Sequence, residues 1–295
     1  MEVDSLKGWI EAKIPTRGLG AKSSAVIATI LSQPARASYG TVQDVASLSC
    51  VNVATVTRTA QTLGFQGWPR FQRELRARYL SHLSAAEVAD QHADITSPSS
   101  TSIRQDLDSL SVLSRQLDYS ELDAVAAAIS GARRTLVLGD GSYGALALAM
   151  AHNARLAGYD VEAVTSGGSD VANRMAQLEA SDVVVVISFW RIYETAMIAS
   201  KVAQEKGAKL FVITDAVTPT LQEAADGVIV VPAEGVSFFP SMTTGLAAVQ
   251  AIVAQLAVID PARTRKTVGA ADAQWQRFAI LHRRTGPHRT DGPGR

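Results

Sequence analysis

Gly139, Gly141 and Gly144 stand in the order G-x-G-x-x-G, between the apolar run 135–139 and a helical stretch that begins near Ala145. Glycines so spaced let the backbone turn tightly against a phosphate, and the following helix aims free N–H groups and its positive dipole end at it. A dinucleotide site also needs a carboxylate at the end of the second strand to hold the ribose diol. That strand ends in Thr165, Ser166, Gly167 and Gly168, with Glu162 in its middle and Asp160 at its far end. The loop therefore reads as a monophosphate cradle, with Gly141 and Ser142 as its contacts. The third strand ends in another hydroxyl, Ser188, and its loop delivers Arg191 and Thr195 ahead of the next helix. In open α/β sheets ligands collect beyond the carboxyl ends of the strands. Gly141, Ser142, Ser188, Arg191 and Thr195 are thus the candidate anion-binding set, with Ser237 and Ser241 as weaker candidates for its rim. Taken singly, each hydroxyl also reads as a helix N-cap.

Moving a proton on a bound sugar requires a positioned acid and base. The candidates are His152, Glu194 and Glu234, and none has a partner at a telling spacing. No Cys/His cluster has the spacing of a metal site. No catalytic residue, metal ligand or cofactor is assigned.

A second polar constellation lies at 52–63. Val53, Val56, Ala60 and Leu63 recur at helical spacing, which turns Ala54, Thr55, Thr57, Arg58 and Gln61 outward. Asn52 is a good N-cap, and exposed N–H groups at a helix start favour a phosphate. Thr and Arg at such positions can meet base edges and phosphates in a major groove. The same face would also suit the solvated side of a structural helix pair. The preceding helix starts at Thr41 and carries Val42, Val45 and Ala46, and 49–52 is short enough for a helix-turn-helix. Gly64 closes the second helix, Phe65 anchors it, and Pro69 opens another with Phe71, Leu75 and Tyr79 inward. An earlier helix over 22–33, with Val26, Ile27, Ile30 and Leu31 inward, stops at Pro34.

The run 44–71, DVASLSCVNVATVTRTAQTLGFQGWPRF, resembles the N-terminal domain of RpiR/MurR-type bacterial regulators. Their usual pattern is an alanine-bearing helix, a turn, a Ser-x-x-Thr-Val-x-Arg helix, then Leu-Gly-Phe-x-Gly-Phe/Tyr-x-x-Phe. Thr55, Val56, Arg58, Leu63, Gly64, Phe65 and Gly67 match, while Asn52 stands where Ser is commoner and Trp68 where Phe or Tyr is commoner. The resemblance covers about residues 5–80 and implies binding to operator DNA as a dimer. Residues 120–260 resemble the sugar isomerase (SIS) domain, through GDGSYG at 139–144, the stretch 187–215 and the final helix after FFPSMTTG. SIS domains bind phosphosugars through hydroxyls of the first loop and of a Ser-x-Ser-Gly-x-Thr loop after the third strand. Here 189–193 replaces the Ser-Gly centre and leaves Ser188 and Thr195 at the ends. Arg191 is placed to supply an anion contact by charge, or to face solvent or a dimer interface. The resemblances imply a cytoplasmic transcriptional regulator of carbohydrate metabolism genes. Its effector would be a phosphosugar or related small anion, its state a homodimer or dimer of dimers, and it would not be an enzyme. The alternatives are a phosphosugar isomerase-like enzyme and a regulator whose SIS domain only dimerises.

The rest of the 295-residue chain fits this division. Residues 1–80 form an all-α helix-turn-helix head and 81–118 a linker with a connecting helix. Residues 119–265 form the SIS domain, a doubly wound five-stranded parallel sheet, and 266–295 a partly disordered end. The sheet follows from apolar runs at 135–139, 160–164, 182–188, 208–214 and 226–232 that alternate with helical stretches. The net charge is zero, yet ten Lys and Arg face five Asp and Glu up to residue 80, a basic head suited to phosphates. One cysteine, Cys50, excludes an internal disulfide. No signal peptide is read at the N-terminus, and the most apolar segment, 245–258, is too short for a membrane span.

Overall fold

The structure, a computed structural model, describes residues 5–93, 95–190, 192–217 and 219–280. The head holds α1 (Leu6–Ala12), α2 (Ala21–Ser32), α3 (Pro34–Tyr39), α4 (Val42–Leu48), α5 (Val53–Thr62) and α6 (Trp68–Ser81). Trp9, Ile10, Val26, Ile30, Val45, Val56, Phe71 and Leu75 form its core. A reciprocal cap starts α4: the Asp44 amide donates to the Thr41 hydroxyl oxygen, and the Thr41 amide to Asp44 Oδ2. At the end of α5 the Phe65 amide bonds back to Ala60 O (3.1 Å) across left-handed Gly64, φ +90°. The helix-turn-helix turn repeats this geometry. Val51 N–H donates to Ala46 O (2.9 Å), but the left-handed position holds Cys50, φ +52°.

Two side-chain expectations in the head are corrected. Val53, the first residue of α5, is 36 % exposed, whereas Val56 in the same turn is buried. Thr59 is buried instead, and its hydroxyl donates to Thr55 O and meets Ser23 Oγ. Tyr79 is only half-buried, whereas Arg78 and Leu80 are buried, since the last turn of α6 faces the second domain. The expected linker contains α7 (Ala85–Gln91), capped reciprocally by Ser84 and Glu87 and anchored by buried Val88, before α8 (Pro98–Gln116).

After α8, whose Leu113 packs into the core of the body, comes α9 (Tyr119–Gly131). Five strands follow: β1 (Thr135–Leu138), β2 (Val161–Val164), β3 (Val183–Ile187), β4 (Lys209–Thr214) and β5 (Gly227–Val230). All pair in parallel in the order β2-β1-β3-β4-β5, with Leu138 beside both Val164 and Val186, Val186 beside Val212, and Thr214 beside Val230. The five expected runs are these five strands. In β3, Val183, Val185 and Ile187 face the core under α9, α10 (Gly144–Leu156) and α14 (Thr243–Ile259). Val184 and Val186 face α11 (Ser169–Ala176), α12 (Glu194–Glu205) and α13 (Pro219–Ala224). A strand covered on both faces must be apolar at every position, hence the run Val-Val-Val-Val-Ile. α15 (Pro261–Arg277) buries no residue and spans the division expected at 265; the tail 283–295, expected to be disordered, lies outside the described residues. No single described helix is long and apolar enough to cross a membrane.

Candidate functional site

On α5, Asn52 occupies the N-cap, and its Oδ1 accepts from both the amide and the hydroxyl of Thr55 (2.8 Å each). This fixes Asn52 and Thr55 together at the start of the helix and leaves the Asn52 amide nitrogen with two donors of its own. Ala54, Arg58 and Gln61 are exposed and Thr57 is half-buried. Arg58 is exposed, and its Nε donates to Ala54 O at 3.4 Å on the same helix. The exposed Val53 adds an apolar contact to this face, of a kind that suits a thymine methyl.

At the strand ends, β1 leads into a tight turn, Gly141–Tyr143, and then into α10. The β1 and β3 loops are joined by aromatic groups. The Tyr143 hydroxyl donates to Phe189 O at 2.6 Å, and its ring packs edge-on against Phe189 and Tyr193. Burial pushes the Tyr143 phenol well above its ordinary range, so it remains a donor. Phe189 is fully buried beneath α14, where Gly245 permits the approach: a Cβ there would fall 2.7 Å from the Phe189 ring. Tyr193 lies over the first loop, its hydroxyl 3.1 Å from the place of a Cβ on Gly141. Ser142 is exposed, Thr195 half-buried in the first turn of α12, and Ser188 buried at 2 % exposure. Arg191 lies outside the described residues.

The seam between head and body brings together residues that no local pattern paired. Trp190, left-handed at φ +59°, donates its amide to Asp215 Oδ1 (2.9 Å) and its indole N–H to Leu80 O in the last turn of α6 (2.6 Å). Burial pushes the Asp215 carboxyl up to about 6, against the opposing pull of the Trp190 amide and Arg78. Arg78 donates to Val217 O and stacks its guanidinium over Trp9. Arg76 bonds Ser38 O and pairs with Glu234 at 2.6 Å. Glu234, a candidate acid, is therefore held in an ion pair across the seam. The other two candidates, His152 and Glu194, are exposed on α10 and α12. Among the described residues, no group of three or more His, Cys, Asp or Glu is placed to hold a metal ion.

Comparison with known proteins agrees with both halves of this architecture. Residues 12–92 match the helix-turn-helix domain of the rpiR family, and residues 128–264 match the SIS domain. An HTH-type transcriptional regulator of Haemophilus influenzae is 28 % identical over 208 residues, 68 % of this chain and 72 % of that protein. The sugar isomerase domain of the RpiR transcription factor from Sphaerobacter thermophilus is 26 % identical, with a TM-score of 0.56 over 59 % of this chain and 97 % of that one. The NanR protein of Vibrio vulnificus shares the fold over 94 % of this chain and 98 % of its own, with a TM-score of 0.59 at 16 % identity. With a helix-turn-helix head of the rpiR family joined to a SIS domain, the chain belongs to the RpiR-type transcriptional regulators.

Proposed function

We propose that this regulator binds operator DNA through the outward face of α5 and controls carbohydrate metabolism genes in response to a phosphosugar. Asn52, Ala54, Thr55, Thr57, Arg58 and Gln61 form the reading face, with Val53 beside them. The effector, a phosphosugar or related small anion, sits at the ends of β1 and β3 against Gly141, Ser142, Ser188, Arg191 and Thr195. A protein of the same fold, the Vibrio vulnificus NanR protein, is complexed with such a ligand, ManNAc-6P. The observation that carries the reading is the bond from Trp190, in the loop after β3, to Leu80 of the head. A ligand that repositions this loop changes the posture of the head, and hence the spacing of two reading helices in a dimer. The protein acts in the cytoplasm as a homodimer or a dimer of dimers and without catalysis of its own. The Glu234–Arg76 pair supports that last point, since a carboxylate held by a guanidinium is a poor proton shuttle.

Genome-wide DNA pull-down with and without candidate phosphosugars tests the whole reading. The expected result is a palindromic operator near sugar-uptake or catabolic genes, with occupancy that changes on adding one phosphosugar. Recovery of no specific sequence would overturn DNA control, and occupancy indifferent to every phosphosugar would overturn the effector.

A further inference from the structure

Between α6, α8 and the segment after β5 lies a cleft of about 260 Å3, which none of Gly141, Ser142, Ser188 or Thr195 lines. Leu80, Val112, Val231 and Phe238 give it apolar walls. At one end α6 presents Arg70 and Arg73, one turn apart. Arg70 Nη1 and Arg73 Nη2 converge on one neutral oxygen, Gln116 Oε1, at 2.6 and 2.8 Å. A single amide oxygen is a weak acceptor for two guanidiniums, each of which can grip a carboxylate or phosphate through two N–H groups. Four carboxylates line the cleft; Asp108 of α8 is exposed, and the other three are engaged. Glu234 pairs with Arg76, Asp215 accepts from Trp190, and Glu74 stands 4.0 Å from Arg70 and 3.9 Å from Arg78. Among the described residues, Arg73 has no ion pair. Burial, together with Arg70, Arg76 and Arg115, pushes its guanidinium below the ordinary range against the opposing pull of Glu74.

We propose that this cleft is a second ligand site, for a small organic anion whose carboxylate or phosphate displaces Gln116 from between Arg70 and Arg73 and whose apolar body lies along Val112 and Phe238. A ligand there touches the head through α6, the connecting helix through α8, and the body through the segment after β5. It braces one posture of the head at the seam, where Trp190 and Asp215 also line the cleft.

The test uses the full chain and three probes: phenylacetate, phenyl phosphate and the uncharged phenylacetamide. Ligand-observed NMR and calorimetry should find one site per chain for at least one anion, with phenylacetamide at least about tenfold weaker. The end group that binds better names the source class. Arg73→Gln and Arg70→Gln should each weaken anion binding about tenfold, with melting close to that of the parent because both side chains are partly exposed. Gln116→Ala removes the competing acceptor and should keep or tighten binding. Failure of both anions to bind at millimolar concentration overturns the site. So does unchanged affinity in both arginine variants, or loss of binding in Gln116→Ala.

Discussion

The indole N–H of Trp190 donates to the carbonyl oxygen of Leu80 at 2.6 Å, across 110 residues of chain. It ties the loop after β3 to the last turn of the helix that ends the head. Keeping a non-glycine residue at φ +59° costs about 1 kcal/mol or more, so the surrounding contacts must hold that conformation. Trp190→Phe keeps a ring and removes the donor. Stability should fall by only about 1 kcal/mol, while the change of operator affinity on adding effector should largely vanish. Fluorescence anisotropy with labelled operator, with and without effector, reads this directly, and an undiminished response would release Trp190 from the coupling role.

Asp215 gives the seam a dependence on pH. Its carboxyl rises from 3.8 to about 6 in the folded protein, so folding favours the protonated form. The associated stability, about 3 kcal/mol by linkage, is complete below the ordinary carboxyl range and is lost as pH climbs through about 6. Asp215→Asn retains an acceptor for the Trp190 amide and cannot ionise. Its stability should lie close to the parent's in acid and exceed it at neutral pH. Urea unfolding over a pH series would show the two curves separating; parallel curves would contradict the assignment.

Arg58→Ala should weaken operator binding by roughly 1–3 kcal/mol. Its melting temperature should barely change, since Arg58 is exposed and bonds only to its own helix. Electrophoretic mobility shift and thermal melting together check both halves of the statement.

Cys50 occupies a left-handed position that glycine fills at the end of α5. Cys50→Gly should therefore stabilise the head by about 0.5–1 kcal/mol, after allowance for the greater freedom of the unfolded chain. Cys50→Val, branched at Cβ, should destabilise it. Calorimetric melting of the two variants should bracket the parent.

The strands were legible because a sheet covered on both faces demands apolar residues without interruption, as 183–187 shows. The helix-turn-helix was legible through Thr41, Asn52 and Gly64, whose capping roles are local. Val53 misled because helical spacing assigns a face but not how far burial extends along it: Val53 is 36 % exposed and Val56 is buried. The polar composition of 84–102 hid α7, whose Ser84 and Glu87 form a cap at capping-box spacing. The seam left no local trace. Arg76 and Glu234 are separated by 158 residues, and Trp190 and Leu80 by 110, so neither spacing nor periodicity could pair them.

Phe189, fixed in the core beneath Gly245, anchors the start of the loop after β3. Trp190 extends to the head, and Tyr193 to the turn after β1. With that ring held fast, the contact of Trp190 with Leu80 and that of Tyr193 with the first loop both hang from one anchored residue, so both depend on the space that Gly245 leaves open.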